Sequence, residues 1–154
     1  MKTRPLVLTL SSLLLATAGG AAGQSVTSAA APAARFTGRS VSGGYGFSIF
    51  AIAAGAAATG SGVFTADGIG NIKGEETVNV NGLSCHVILT GTYTIDPDGA
   101  GTAILDLTPD AASLAKNCQP VATRFSLAIT GGGQQIILAG QDSFDISTGL
   151  ATRQ

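Results

Sequence analysis

The sequence contains few of the residues that enzymes and metalloproteins use for chemistry. Charged residues make up 11% of its 154 residues, and there are one His and two Cys. A lone His, His86, argues against a catalytic zinc site, which draws on several His, Cys or acidic ligands. No Gly-x-Ser-x-Gly motif occurs, and the glycines of residues 129–135 (ITGGGQQ) lack the Lys and the helix of a phosphate-binding loop. We therefore expect no metal and no cofactor.

The N-terminal residues have the layout of a secretory signal peptide. A short basic segment precedes the apolar run Leu6–Leu15, and a small-residue tail offers cleavage after Ala18 or after Gly23. An apolar run of about ten residues is too short to span a bilayer, which takes about 20. We expect residues 1–23 to be a signal peptide, its removal to leave no membrane span, and the protein to be exported to the periplasm or the medium. The alternative is an N-terminal anchor that is never cut.

The charge balance excludes two kinds of partner. Removal of residues 1–23 takes two of the 8 Lys and Arg residues and none of the 9 Asp and Glu residues, which leaves a net charge of −3. Such a chain offers no basic surface to nucleic acid or to an anionic membrane. With 45% hydrophobic residues, a mature chain of about 130 residues can bury the core of one domain. We predict a flexible Ala/Ser-rich leader over residues 24–40, with order beginning near Phe36 or Tyr45, and a single domain over residues 41–154.

Turn signals recur along the rest of the chain at intervals of roughly 8 to 15 residues. They separate runs rich in Val, Ile, Phe, Tyr and Thr that show no long helical period. Such runs are typical of antiparallel strands, and eight of them can close into a barrel that is filled by side chains or holds one small ligand. We predict an all-β, eight-stranded, mainly antiparallel up-and-down barrel. Its strands are expected at Tyr45–Ile52, Gly60–Ala66, Asn71–Val80, His86–Ile95, Gly101–Leu107, Val121–Thr130, Gln134–Gly140 and Phe144–Thr152.

One connection is longer than the others. Residues 108–120 (TPDAASLAKNCQP) open with Thr-Pro-Asp, which is typical of a helix start with Thr108 as the cap and Pro109 in the first turn. Helix-forming residues follow. We expect one short helical connection at about residues 109–116, lying across a rim or an end of the sheet.

The third strand, NIKGEETVNV, contains an acidic residue on its apolar face. Alternation places Glu76 with Ile72 and Val78, and Lys73 on the other face. A buried unpaired carboxylate costs several kcal/mol unless its pKa rises until it is neutral, so such a residue is usually functional or paired. The alternative is that a bulge at Glu75 and Glu76 turns the side chain outward, or that it lies at an open rim.

Two aromatic residues are candidate neighbours of Glu76 inside the barrel. The same alternation points Tyr93 and Phe125 inward. We take Glu76, Tyr93 and Phe125 as candidate ligand-binding residues, and Glu76 and Tyr93 as candidate catalytic residues. No Lys or Arg falls on a predicted inward face, so a hydroxyl of Tyr93 or Thr123 is the expected hydrogen-bond donor to Glu76.

Two turns share one sequence pattern. Residues 62–71 (GVFTADGIGN) and 91–102 (GTYTIDPDGAGT) both read Gly-x-aromatic-Thr-x-Asp, followed by Gly-x-Gly. The repeat indicates turn chemistry, in which Asp accepts backbone hydrogen bonds and Gly supplies a positive φ. The alternative is a calcium site built on Asp96 and Asp98, but the further acidic ligands of a calcium loop are missing.

The two cysteines predict one disulfide. In an exported chain, Cys85 and Cys118 form the simplest pair, and closing a loop of about 34 residues would stabilise the fold by roughly 3 to 4 kcal/mol. The alternative, Cys85 as a nucleophile activated by His86, conflicts with the geometry of a strand, because adjacent residues point to opposite faces.

The glycine-aromatic hairpins and the tail GLATRQ resemble a widespread group of small secreted bacterial proteins, mostly uncharacterised, that repeat Gly-x-Phe/Tyr-Thr-x-Asp-Gly-x-Gly. The resemblance covers residues 44–154. It implies an eight-stranded barrel similar in shape to allene oxide cyclase and dirigent proteins. Many members carry a Cys in the turn where this chain has Asp98 and Gly99, so the disulfide is argued from this chain alone.

Three interpretations of function stay open. The first is an exported barrel without catalysis that binds a small apolar molecule or presents its surface. The second is a cofactor-free isomerase or cyclase that uses Glu76 inside the barrel and steers its substrate mainly by shape. The third is a structural surface protein, which would normally contain tandem repeats.

Overall fold

The computed structural model describes residues 36–53, 55–143 and 145–154 and contains one closed barrel of eight strands. The predicted signal peptide and most of the predicted leader, residues 1–35, lie outside the described residues. The strands are β1 (Gly43–Ala53), β2 (Ala56–Ala66), β3 (Asn71–Val80), β4 (Leu83–Ile95), β5 (Ala100–Pro109), β6 (Val121–Thr130), β7 (Gln135–Gly140) and β8 (Asp145–Arg153).

Each strand pairs with its sequence neighbour in antiparallel register, and β1 also pairs with β8. The predicted up-and-down barrel is thereby confirmed. The largest boundary differences are at β2 and β4, which begin at Ala56 and Leu83, four and three residues earlier than predicted. Both extensions consist mainly of small or polar residues that are poor strand signals by themselves. They are strands because the neighbouring strand continues beside them and pairs with their backbone groups.

The barrel interior is filled at one end by aromatic residues. Tyr45 is fully buried and stacks on Phe64 with ring centroids 5.1 Å apart, and Phe47 packs against the same ring at 5.7 Å. Tyr93 lies in the same core. Offset and tilted ring pairs of this kind add to the stabilisation that burial of apolar area provides.

A short segment before β1 covers this end of the barrel. The 3₁₀ helix Gly38–Val41 places the side chain of Val41 in the core, where it is 2% exposed. The hydroxyl of Tyr93 donates to the carbonyl oxygen of Gly38 at 3.1 Å. This helix was not predicted, and residues 36–40, which the sequence placed in the leader, contact the barrel. Three to four residues without apolar periodicity give no sequence signal for such a turn.

Arg153 joins the last strand to this covering segment. Its guanidinium donates to the Tyr45 hydroxyl at 3.0 Å and to the carbonyl oxygen of Ser40 at 3.0 Å. The guanidinium carbon lies 5.4 Å from the centre of the Tyr45 ring. The Tyr45 hydroxyl in turn donates to the carbonyl oxygen of Gly133 at 2.7 Å. The two chain ends of the barrel are therefore held at one point.

The long connection contains the helix α1 (Ala111–Leu114) within the predicted range. The predicted cap was wrong: Thr108 and Pro109 end β5, and the cap is Asp110, whose carboxylate accepts from the backbone N–H of Ser113 at 2.7 Å. The β4–β5 ladder continues through Pro109 and delays the helix start by two residues. No helix in the described part of the chain is long and apolar enough to cross a membrane.

The predicted Cys85–Cys118 disulfide is confirmed, with Cα atoms 6.1 Å apart. It connects the start of β4 to the loop after α1. Backbone hydrogen bonds support the same junction, because the N–H of Asp110 donates to the carbonyl oxygen of His86 at 3.1 Å and that of Cys118 to Ser113 at 3.1 Å.

The two Asp-containing turns use their carboxylates as local acceptors. Asp67 accepts from the backbone N–H and the side-chain amide of Asn71 and from the backbone N–H groups of Ile69 and Gly70, and these hydrogen bonds lower its pKa to about 2. Asp98 accepts from the backbone N–H of Ala100 at 3.0 Å. These contacts support the interpretation of both segments as turns.

Two features of the second turn require glycine at residue 99: a left-handed backbone conformation and the close approach of the Phe36 ring. The φ of Gly99 is +92°, and a Cβ there would lie 2.9 Å from Cδ2 of Phe36. Gly99→Ala should lower the free energy of unfolding by clearly more than the roughly 1 to 2 kcal/mol that left-handed strain alone costs. Gly132→Ala is the control, because Gly132 has a φ of +68° and open space around it. Urea unfolding measures both losses.

In a Phe36→Ala background the two glycine variants should become equal. Equal losses while Phe36 is present would contradict the packing of Phe36 on this turn.

Candidate functional site

A cavity of about 330 Å³ opens at the end of the barrel opposite the 3₁₀ helix. Its walls are mainly apolar side chains of the barrel interior, and its rim includes the loop that the disulfide holds. The described residues that line it are Phe47, Ile49, Ala51, Ala58, Thr59, Gly60, Glu76, Val78, Val80, Leu83, Cys85, Val87, Leu89, Leu105, Leu107, Asn117, Cys118, Gln119, Val121, Thr123, Phe125 and Ser147.

A layer of side chains separates this cavity from the aromatic end. A second cavity of about 40 Å³ lies among the aromatic residues and has an apolar lining that includes Tyr93. The residues that line both cavities are Phe47, Ile49, Leu89, Leu105 and Phe125. They form the floor of the larger cavity, which is therefore open at one end and closed at the other.

The size of the inward residues explains why the barrel is empty at one end. At the aromatic end, β1 and β2 contribute Tyr45 and Phe64 to the interior. Toward the opening, the same two strands contribute Ala51 and Ala58 to the wall. The spacing between strands is fixed by backbone hydrogen bonds, so smaller side chains leave space that the strands cannot close.

Glu76 projects into the cavity from β3 and is 5% exposed. The register of β3 is continuous on both sides, with Glu76 opposite Gly62 of β2 and Val87 of β4. No bulge interrupts the ladder, so the alternative in which a bulge turns this side chain outward is wrong. The inward position that alternation predicted for Glu76 is confirmed.

Gly60 makes room for the carboxylate. It lies on β2 beside Glu76, and a Cβ at this position would overlap Oε1 of Glu76. The space that any other residue would fill is thus occupied by the acid itself. Gly60 also lines the cavity, so the carboxylate is seated in the wall rather than folded back toward the solvent.

Burial raises the pKa of Glu76 from 4.5 to about 7, and desolvation is its only cause. Both predicted donors are wrong. The hydroxyl of Tyr93 donates to Gly38, and that of Thr123 donates to Oδ2 of Asp142 at 2.8 Å. Within the described residues, no side chain donates a hydrogen bond to Glu76. Near neutral pH the cavity therefore contains a carboxyl group that is partly ionised and has no side-chain partner in the described part of the chain.

The structure brings together two of the three predicted site residues. Phe125 forms part of the cavity floor, whereas Tyr93 lines only the small cavity at the other end. Glu76 is opposite Val87, six residues before Tyr93 on β4, a separation of about 20 Å along the strand. Tyr93 therefore cannot act on a group bound at Glu76.

Several polar residues at the rim were not predicted. Asn117 and Gln119 flank Cys118, so the disulfide itself could have indicated that they lie at an end of the barrel. Ser147 is on the inward face of β8, four residues before Ala151, which is fully buried. Strand alternation along β8 would have placed Ser147 on this inward face. These three side chains give the opening a polar edge above the apolar walls.

His86 lies on the outer surface rather than in the cavity. Its Nδ1 is 3.3 Å from Oδ2 of Asp110, without hydrogen-bond geometry, and its Nε2 is 3.7 Å from Oε2 of Glu75. Cys85 faces inward and is oxidised. The alternative pair of a Cys85 nucleophile and a His86 base is therefore wrong. As the strand geometry predicted, these adjacent residues point to opposite faces of β4.

Fold and site together define an eight-stranded antiparallel barrel with a cavity open at one end. No family model and no curated protein matches the chain. Among solved structures it is similar to a redesigned β-barrel, mFAP1, bound to DFHBI, with 13% identity and a TM-score of 0.52 over 76% of this chain and 98% of that chain. A second, EF1p2_mFAP2b bound to DFHBI, has 12% identity and a TM-score of 0.48 over 77% and 100%. The first likeness shows a shared fold.

We predict that Glu76 makes the stability of the protein depend on pH. A folded-state pKa above the unfolded value favours the folded state at low pH, and this contribution is lost as the pH rises through about 7. From about pH 4.5 to about pH 8.5, Glu76→Gln should therefore gain stability relative to wild type by on the order of 3 kcal/mol. Thermal and urea unfolding at a series of pH values measure the difference.

Glu75→Gln is the matched control, since the Glu75 side chain is 59% exposed on the outer face. If the stabilities of wild type and Glu76→Gln change in parallel with pH, the carboxylate is solvated in the folded protein and the prediction is wrong.

Proposed function

We propose that the protein is an exported barrel that binds one small, largely apolar molecule in its open cavity. The observation that carries this proposal is a cavity of about 330 Å³ whose wall is mainly apolar and, among the described residues that line it, contains a single acid, Glu76. Ligand sites in proteins are typically concave, mostly apolar and about 300 to 1,000 Å³ in volume, with a few polar groups that fix orientation. The rim and floor fit this description.

The rim of the cavity supports the view that the cavity is a binding site and not only a packing defect. The Cys85–Cys118 disulfide fixes the loop that carries Asn117 and Gln119 at the rim. A fixed rim lowers the entropy lost when a ligand is bound. In the similar barrel mFAP1, a small molecule, DFHBI, is bound, which supports the view that this architecture can accommodate a ligand.

Export is part of the proposal. It is supported by the signal-peptide pattern of residues 1–23 and by the disulfide, since disulfides persist in oxidising compartments. We also propose that the chain is one of the small secreted bacterial barrels that its glycine-aromatic hairpins resemble.

A variant that fills the cavity should weaken binding. Val78→Phe places a ring in the cavity wall, whereas Thr77→Phe places the same ring on the outer face of the same strand. We expect a neutral phenylnaphthylamine dye to become fluorescent with wild type and with Thr77→Phe, and at least about tenfold weaker binding with Val78→Phe. Thermal melts identify variants that do not fold.

Mass spectrometry of protein purified from its own host under native conditions supplies a second measurement. A bound small molecule displaced by the dye is expected. Equal dye binding by the two Phe variants would place the dye outside the cavity and contradict the proposal.

A second candidate function is proton transfer by Glu76. It is favoured by the pKa of about 7, because a general base works best when its pKa is near the operating pH. Tyr93 cannot assist, so the chemistry would rest on one carboxylate and on the shape of the cavity. This is the cofactor-free isomerase or cyclase interpretation with Glu76 alone.

A nitrobenzisoxazole tests whether Glu76 can act as a base. The carboxylate would take the ring C–H proton, the resulting electron pair would form the nitrile, and the N–O bond would break to release a coloured cyanonitrophenolate. We expect a rate that rises with pH through about 7 and is lost in Glu76→Gln but kept in Glu75→Gln. If wild type reacts no faster than Glu76→Gln at any pH, the cavity contains no reactive base.

A further inference from the structure

We infer that the cavity selects a small hydrophobic amine, whose ammonium group pairs with Glu76 while its apolar body fills the space toward the opening. This inference rests on the proposed function, because it requires that the cavity binds a ligand. It adds the charge and the orientation of that ligand.

Glu76 is the only ionisable side chain among the described residues that line the cavity, since Cys85 and Cys118 are joined in the disulfide. The strands beside it face it with Gly60 and Gly62 from β2 and with Val87 from β4. None of these can neutralise a carboxylate or donate a side-chain hydrogen bond to it.

The basic residues of the described chain lie elsewhere. Lys73 and Arg124 are exposed on the outer face of the sheet, and Lys116 is exposed in the loop after α1. Arg39 is exposed in the 3₁₀ helix at the aromatic end, where Arg153 donates to Tyr45. Asp142 accepts from Thr123 near the rim, which adds negative rather than positive charge to that side. The potential inside the cavity is therefore set by one acid that has no counter-ion from the described chain.

The depth of Glu76 sets the orientation of the ligand. Glu76 is four residues from Val80, which lies at the end of β3 by the opening, so the carboxylate is about 13 Å along the strand from that end. Val78 and Val80 make the wall between them apolar. A bound molecule must reach the acid with its polar group first and leave an apolar body against this wall.

An ammonium group satisfies the site better than a neutral group. It supplies the missing charge and up to three hydrogen-bond donors, and hydrogen bonds between charged groups are the stronger ones. An alcohol of the same shape donates once and leaves the charge in place. A carboxylic acid would place two acids in one apolar space, where they cannot both ionise.

The charge of Glu76 makes binding of an amine depend on pH. The amine stays protonated well above neutral pH, so its affinity should rise as Glu76 ionises and then level off. Affinity for a carboxylate of the same skeleton should fall over the same range.

Three indole compounds that differ only in the group on the side arm test this inference: tryptamine, tryptophol and indole-propionate. The chain has no Trp, so indole fluorescence reports the ligand without a Trp background from the protein. At about pH 8, we expect wild type to bind tryptamine at least about tenfold more tightly than tryptophol. The tryptamine affinity should rise between about pH 5.5 and about pH 8.5.

Glu76→Gln keeps the shape of the side chain and removes its charge. We expect it to weaken tryptamine at least about tenfold, to change tryptophol by less than about threefold, and to remove the pH dependence. Glu75→Gln on the outer face should change neither.

Two results would overturn the inference, and they differ. Equal affinity for tryptamine and tryptophol, or no effect of Glu76→Gln, would exclude selection of amines while leaving a cavity that binds ligands. Failure of all three compounds and of the phenylnaphthylamine dye would exclude the proposed function itself.

Discussion

The pairing of β1 with β8 is the contact on which the rest of this structure depends. It joins Tyr45 to Arg153 and continues to Ala53 and Asp145, so the sheet has no free edge. Closure fixes the distance across the barrel, because the spacing of strands is set by backbone hydrogen bonds rather than by side chains. Every inward residue then either fills the enclosed volume or leaves part of it empty.

This constraint explains why one barrel has two different ends. The aromatic end is filled by Tyr45, Phe64 and Tyr93 and is covered by the 3₁₀ helix that carries Val41. The open end has mostly smaller residues in its wall, and its rim is held by the disulfide. In a sandwich the two sheets could approach each other where side chains are small, but a closed ladder cannot, so the difference in side-chain volume becomes a cavity.

Much of this fold could be predicted from the sequence because its information is local. Turn signals and the runs between them identified the eight strands, alternation gave the inward position of Glu76, and the count of cysteines identified their pairing. Alternation gives the face of a residue but not its level in the barrel, which is why Tyr93 was placed near Glu76 although the two lie toward opposite ends. The height of a residue along the barrel axis depends on the register between strands. Register depends in turn on the exact lengths of the turns, which a single sequence does not determine.

The errors at the chain connections have the same physical origin. Thr108 has the chemistry of a helix cap, but pairing between β4 and β5 continues through Pro109 and moves the cap to Asp110. The 3₁₀ helix before β1 exists because Val41 completes the aromatic core and Tyr93 donates to Gly38. Both are decided by tertiary contacts, which override the weak local preferences of short segments.

The position of Glu76 relates the packing of the barrel to its chemistry. An acid in the aromatic end would displace rings and have neither space nor water, whereas the open end tolerates it because Gly60 leaves a place for the carboxylate. The same emptiness that makes the acid tolerable makes it accessible to a molecule that enters from the rim. A methyl group at residue 60 would occupy the place of the carboxylate, so either the Glu76 side chain or the pairing of β2 with β3 would have to shift. The absence of a side chain at residue 60 is thus the local condition for a charged group in an otherwise apolar cavity, and it links a glycine of β2 to the candidate binding site of the barrel.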